Sequence, residues 1–436
     1  MKKKLSAVAA ATAAALVLAG CTSGDTNESV DPSEDASAAA GANITLWLMG
    51  GDTPEALREY LRTEYADATG GTLTIEEQGW GDALSSLTTA LPDSDNTPDV
   101  VEIGNTWSPT FTTVGAFSDI SDMYQELGGD SLLQSFVEVG KVDGANYAMP
   151  YYFGSRYNFY RKDIYEAAGV AVPTTLGEFS EAAAALTTSS MSGFYIGGSD
   201  WRNGISWIFA NGGELAEVQD GQWVSTLSSP NSVKGLEMLQ DLYSTSSLAP
   251  ATESDSTPWV NINDNESTGA PEAATIIAPS WASCCIGDPI ELEDGGVGTQ
   301  WNDDVFGVFV LPGVNGGAAP VFAGGSNIAI SAASKNQEAA RVLMRIIFSE
   351  TYQTMLAENG LGPANLDYTA ALGDNQFAAA LIASAADSKL TPAAPGWAAV
   401  EGSGLLEEFF GKVAAGGDVA TLAAEYDALI NPLLNG

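Results

Sequence analysis

The feature that most constrains the fold is a regular alternation of short apolar runs with helical segments early in the chain. Ile44-Thr45-Leu46-Trp47-Leu48-Met49 reads as a strand stopped by Gly50-Gly51. Asp52-Thr53-Pro54 then supplies a capping residue and a proline suited to a first helical turn, and residues 55–69 run helically to Gly70-Gly71. A second strand is predicted over 72–76, a helix over 82–90, and a buried strand in Pro98-Asp99-Val100-Val101-Glu102-Ile103-Gly104. The order β-α-β-α-β predicts a parallel, doubly wound sheet. Ligands of such sheets sit beyond the carboxyl ends of the strands. Here those ends are residues 50–52, 79–81 and 105–107.

Further along, a strand pair is predicted around 147–160, helices near 162–168 and 175–187, and a strand over 193–197. Helices follow at 205–211 and at 230–243, the latter begun by Ser229 as cap. Residues 275–278, 305–310 and 326–330 are apolar strands, and amphipathic helical stretches occupy 337–348, 349–359, 405–414 and 419–434. No internal repeat and no linker interrupts residues 42–436. Two α/β lobes connected more than once is the expected architecture.

The composition removes whole classes of function. The 436 residues contain no histidine, which excludes Ser-His-Asp and Cys-His nucleophiles, His-ligated metals and HExxH proteases. With 16 Lys+Arg against 56 Asp+Glu, the net charge of −40 repels phosphate backbones and argues against nucleic-acid binding. A hydrophobic content of 45% still allows substantial cores, so the acidity belongs to a folded body and not to a disordered tail.

The N-terminus carries an address. Lys2, Lys3 and Lys4 precede an Ala/Leu/Val stretch over 5–19, a signal-peptide pattern too short to span a membrane comfortably. It ends in Leu18-Ala19-Gly20-Cys21, which resembles the lipobox of bacterial lipoproteins, so residues 1–20 are expected to be removed and Cys21 to carry lipid. Residues 21–41 are mostly Ser, Asp, Glu, Thr, Ala and Gly, with almost nothing to bury, and read as a flexible acidic tether.

The tryptophans then point to a ligand. Trp80 lies between two glycines, Trp107 in Asn-Thr-Trp-Ser-Pro, Trp201 in Ser-Asp-Trp-Arg-Asn-Gly, Trp281 in Pro-Ser-Trp-Ala and Trp397 in Pro-Gly-Trp. A loop-borne aromatic beside Asp, Asn or Arg suits a pyranose, whose C–H face packs on the ring while planar side chains take its hydroxyls. The alternative for each is to anchor its loop to the core. Trp47, Trp207, Trp223, Trp259 and Trp301 lie in apolar, strand-like or acidic runs, where packing is the better reading for most.

Several segments in order resemble one family. They are Ile44-Thr45-Leu46-Trp47, Thr97-Pro98-Asp99-Val100-Val101, Tyr147-Ala148-Met149-Pro150-Tyr151-Tyr152, Phe159-Tyr160-Arg161-Lys162-Asp163, Ala278-Pro279-Ser280-Trp281, Gly324-Gly325-Ser326-Asn327 and Pro395-Gly396-Trp397. The chain is similar to family 1 extracellular solute-binding proteins, the sugar-capturing subunits of carbohydrate ABC transporters. The resemblance implies a periplasmic-binding-protein type II-like fold, with two α/β lobes joined by a multi-strand hinge and the ligand cleft between them. It places 42–151 plus 326–357 in lobe one and 152–325 plus 358–436 in lobe two. It also implies a non-enzymatic, monomeric protein without cofactor or metal, lipid-anchored at the extracellular face of the membrane, that closes on an oligosaccharide of disaccharide size. Its partners would be the permease and, through it, a cytoplasmic ATPase. The Gly-Gly-Ser-Asn and Pro-x-Trp segments resemble those of binding proteins for chitobiose-type disaccharides. Residues 282–287 and 291–304 have no counterpart in the pattern, so the sugar stays open.

The expected site combines Trp80, Trp107, Trp201, Trp281 and Trp397 with Asp52, Asn105, Asp200, Ser326, Asn327 and Glu401 as hydrogen-bonding groups. Arg156 is expected to hold a carboxylate or a sugar oxygen, as is Arg202, and Tyr152 to offer a ring and a hydroxyl. Tyr151 and Tyr152 are neighbours on a strand, so one of them should face the core. Cys284-Cys285 is an adjacent pair in an exported chain, where a vicinal disulfide near Trp281 or two separate thiols are both open. A secreted glycoside hydrolase and a lipid-anchored adhesin are the competing classes. The first would use paired carboxylates from the many acids present.

Overall fold

The structure, a computed structural model, describes residues 38–254, 257–291 and 296–436. The expected signal peptide, Cys21 and most of the expected tether lie outside the described residues. The body begins earlier than residue 42. Ala39 is buried, and the Gly41 N–H donates to the carbonyl of Thr69 at 2.7 Å.

The opening alternation folds as the pattern dictates. Strand β1 (Ile44–Met49), helix α1 (Glu55–Thr69), β2 (Leu73–Gln78), helix α2 (Trp80–Ala90) and β3 (Val100–Gly104) follow one another, and β1 pairs in parallel with both β2 and β3. Leu46 and Leu48 point to one face and Trp47 and Met49 to the other, because side chains on a strand alternate. Leu57 and Leu61 of α1 cover the first face together with the helix Gln337–Ile347, while Ala83 and Leu87 of α2 cover the second. A sheet apolar on both faces needs this double cover.

Residues 147–160 depart from expectation. Strands β4 (Ala148–Phe153) and β5 (Arg156–Arg161) do not pair with each other. The backbone between them is engaged elsewhere: the Gly154 N–H donates to the Gly324 carbonyl, and the Ser155 carbonyl accepts from the Ser280 N–H, both at 2.8 Å. Strand β5 instead lies between β6 (Thr275–Pro279) and β7 (Phe306–Phe309), antiparallel to both, in a separate three-stranded sheet. Strand β4 joins the first sheet beside β8 (Gly325–Ile330), with β9 (Gly362–Pro363) at its edge, which gives the order β9-β4-β8-β3-β1-β2. The chain therefore passes between sheets at Gly154-Ser155, again between β7 and β8, and again after β9, where the helix Gln376–Ala385 packs on β5 and β7.

The second body has its own core, in which Phe179, Trp201, Trp207, Leu236 and Phe409 are buried together. Its helices Pro230–Thr245, Leu405–Ala414 and Val419–Leu434 agree with the sequence pattern, and Ser229 caps the first by accepting from the Ser232 N–H. Residues 193–197 form no ladder; Tyr195 makes only an isolated bridge to Ile276. Among the described residues no helix is long and apolar enough to cross a membrane.

Candidate functional site

The carboxyl ends of β1 and β4 and the start of α2 face the three-stranded sheet across a cleft with a cavity of about 830 Å³. From the first body, Asp52, Trp80 and Tyr152 line it; from the second, Trp281, Cys284, Trp301 and Phe377. Arg156, Gly324 and Gly325 line it where the chain crosses.

Asp52 was expected to offer a cap to α1, but Pro54 holds that position and no side chain caps the helix. Its carboxylate is used in the cleft instead. Oδ2 accepts from the Trp80 indole N–H at 3.0 Å and from the Tyr152 hydroxyl at 2.9 Å, which leaves Oδ1 available for a ligand hydroxyl. The loop holding Asp52 needs glycine at its first position. Gly50 has φ +55, and a Cβ there would meet the Trp80 ring at 2.9 Å. Trp80 is 37% exposed, and Trp107 lies behind it with ring centroids 5.7 Å apart. Tyr151 turns into the core, where its hydroxyl meets those of Tyr352 at 2.6 Å and Thr53 at 2.9 Å. Tyr152, on the opposite face, lines the cleft, as strand alternation requires.

Below this group lies a residue that sequence reasoning missed. Glu102 is fully buried in β3 and accepts from the Met49 N–H at 2.8 Å. Burial pushes its carboxyl up to about 8, against the pull of the Met49 amide and with the Asp52 charge adding to the rise. Its signal was an acid inside an otherwise apolar run. Burial likewise holds the Tyr152 hydroxyl well above the ordinary tyrosine range, with the charges of Glu102 and Asp52 adding to it, so it stays a donor.

Arg156 is buried and oriented. Its Nε donates to Asn203 Oδ1 at 2.7 Å, one of its terminal nitrogens donates to the Phe322 carbonyl at 3.2 Å, and the guanidinium lies 4.5 Å from the Phe322 ring centroid. Asp200, expected in the cleft, stands one step behind, accepting from Asn203 Nδ2 at 2.6 Å and capping the helix Trp201–Ala210. On the far wall Trp281 is 55% exposed, its ring edge-on to Trp259 at 4.9 Å. Trp301, one of the five tryptophans for most of which packing is the better reading, packs on Phe306 and Phe377, the latter at 4.6 Å, and also lines the cleft.

Other expected residues are placed away from the cavity. Trp201 and Trp397 are each 1% exposed and meet edge to face at 6.5 Å in the core of the second body. Each begins a helix, so the apparent loop context was a helix start. Glu401 pairs with Arg202 at 2.9 Å beside them, and Arg202 covers the Trp201 ring. Ser326 and Asn327 are buried in β8, where Asn327 Nδ2 donates to the Phe136 carbonyl at 2.8 Å. Asn105 is buried at the crossing, its Nδ2 donating to the Ala323 carbonyl at 3.1 Å. Trp107 supports Trp80 and does not line the cavity. Cys284 and Cys285 are joined in a disulfide, and Cys284 lines the cleft.

Two α/β bodies, joined by several crossings and opening a cleft of aromatics and oriented polar groups between them, define a ligand clamp. The profile of the bacterial extracellular solute-binding proteins matches residues 61–385, and the chain belongs to that family. The diacetylchitobiose binding protein DasA of Streptomyces coelicolor is 29% identical over 407 residues, covering 92% of this chain and 91% of that protein. In structure, the chain is similar to the sugar-binding protein MalE of Xanthomonas citri, with a TM-score of 0.74 at 20% identity over 90% of this chain and 97% of the other. The GacH receptor of Streptomyces glaucescens, solved unliganded and with acarbose, gives a TM-score of 0.72 at 21% identity, covering 90% and 98%. The chain shares with these two structures the two-lobed, type II periplasmic binding fold.

Proposed function

We propose that the chain is the substrate-capturing subunit of a carbohydrate ABC importer, closing on an oligosaccharide of disaccharide size and presenting it to the permease. One observation carries this reading. Exposed tryptophans from two bodies, Trp80 and Trp281, line a single cavity of about 830 Å³ together with Asp52 and Arg156. Indole faces take the C–H surface of a pyranose, and oriented carboxylate and guanidinium groups take its hydroxyls. The volume falls in the usual range of about 300–1,000 Å³ for small-molecule sites. Lobe one is proposed as the six-stranded sheet and its helices, and lobe two as the remainder, so a sugar bridging Asp52 and Trp281 would favour the closed state. The name of the Streptomyces coelicolor relative makes diacetylchitobiose the first ligand to try. Lipid at Cys21 would hold the protein at the outer face of the membrane; palmitate labelling that is lost in Cys21→Ser supports this, and labelling that persists contradicts it.

Thermal-shift and calorimetric screening against diacetylchitobiose, maltose and their monosaccharides tests the reading. Saturable binding with the sugar recovered intact supports the importer. Turnover of the sugar supports a glycoside hydrolase, and no binding to any sugar leaves an adhesin.

A further inference from the structure

We propose that the Cys284–Cys285 disulfide is a ligand-contacting platform of the cleft, a sulfur surface that continues the Trp281 ring and takes the apolar C–H face of a pyranose. The inference rests on the sugar-binding reading above. The two cysteines close the 3₁₀ turn Ser280–Cys285 that follows β6, and four residues of that turn, Ser280, Trp281, Ser283 and Cys284, line the cavity.

The turn is pinned from both sides. The Cys284 carbonyl accepts from the Thr299 hydroxyl at 2.9 Å, and the Cys285 carbonyl accepts from Asn263 Nδ2 at 2.8 Å. Asn263 Oδ1 in turn accepts from the Gly287 N–H at 3.0 Å. Only glycine fits position 287: its φ is +155, and a Cβ would fall 2.1 Å from the Gln300 carbonyl oxygen. Trp281 is braced edge-on by Trp259. With the backbone held at these points, the S–S bond removes the side-chain freedom of the two cysteines as well. Disulfide sulfur is polarisable and carries no strong hydrogen-bonding group, so it suits an apolar sugar face as thioethers suit aromatic rings. A surface held rigid before binding loses less entropy when the ligand arrives.

Reduction by dithiothreitol tests this directly. The Cys284–Cys285 S–S bond breaks, each sulfur takes a proton from a reductant thiol, and the reductant's two sulfurs join in a ring, so electrons and protons balance. Alkylation with intact-mass measurement should show two more adducts on the reduced full-length chain than on the oxidised one; equal adduct numbers would overturn the platform. Diacetylchitobiose and maltose are then titrated into both forms. The expected result is a Kd about tenfold weaker after reduction for whichever sugar binds. The Cys284→Ala/Cys285→Ala variant, its folding checked by circular dichroism, should match the reduced form and ignore reductant. Equal affinity in the oxidised, reduced and double-alanine forms overturns the platform while leaving the sugar-binding reading intact. Absence of binding by every form to both sugars overturns that reading, and the platform falls with it.

Discussion

The Trp80 indole donates its N–H to the Asp52 carboxylate at 3.0 Å, so the proposed aromatic platform and the proposed hydroxyl-binding group of the first body are held by one hydrogen bond. The two residues come from the ends of different strands, β1 and β2, which a parallel sheet brings side by side. Asp52→Ala should therefore remove a ligand acceptor and also free the Trp80 ring. Calorimetry should show sugar affinity falling by roughly a factor of ten or more, in keeping with a charge-assisted hydrogen bond. Trp80→Phe, which keeps an aromatic ring but loses the tie to Asp52 and part of the ring surface, should fall by less. Equal affinities for both variants and the parent would remove this pair from the site.

Trp281 and Trp201 looked alike in the sequence, and the structure separates them. Trp281→Ala should weaken sugar binding by more than about 1 kcal/mol and leave the melting temperature nearly unchanged, because the ring is more than half exposed. Trp201→Ala should do the reverse. Deleting a fully buried indole, with its bond to Glu407 at 2.9 Å, should cost about 3–5 kcal/mol of stability. Melting curves and titrations of both variants check the pair.

Glu102 makes stability depend on pH in a definite direction. Its carboxyl titrates near 8 when folded and near the ordinary 4.5 when unfolded, so the folded state holds the extra proton between those values. Its contribution is fully present below about pH 4.5 and is lost as pH rises towards 8, with a slope of about 1.4 kcal/mol per unit. Glu102→Gln keeps an acceptor for the Met49 N–H and does not titrate. Denaturant unfolding from pH 5 to 8.5 should show the variant gaining on the parent as pH rises. Parallel curves would contradict the account.

Gly325 stands where the crossing meets the cleft, with φ +136 and a would-be Cβ 2.4 Å from the Tyr152 carbonyl oxygen. Gly325→Ala should cost about 2 kcal/mol or more and should weaken binding as well, because Tyr152 would have to move. Chemical denaturation and titration of the same sample check both effects.

Much of the first sheet was legible because its signal is local. Leu46, Leu48, Val101 and Ile103 alternate with the period of a strand, and the glycines at 50–51 and 70–71 mark the element ends. That pattern alone places Asp52 and Trp80 at strand ends. The separation of β4 from β5 was not legible, since two apolar strands joined by Gly154-Ser155 read as a hairpin and only distant partners, Gly324 and Ser280, pull them apart. Trp201 and Trp397 misled because a tryptophan after Asp or Gly looks loop-borne, whereas Asp200 and Gly396 are the residues before helices. Trp301 was hidden by the acidic residues around it, and its place in the cleft depends on Phe377, far along the chain. Glu102 needed the neighbours Met49 and Asp52 to show that its burial matters.

The central claim is that Asp52 and Trp281, from different bodies, grip one sugar. Calorimetric titration of diacetylchitobiose and maltose into the parent, Asp52→Ala, Trp281→Ala and the double variant tests it most directly. One sugar per chain, a loss in each single variant and no measurable binding by the double variant are expected. Saturable binding by the double variant at the parent's affinity, or no saturable heat from the parent with either disaccharide, would contradict it.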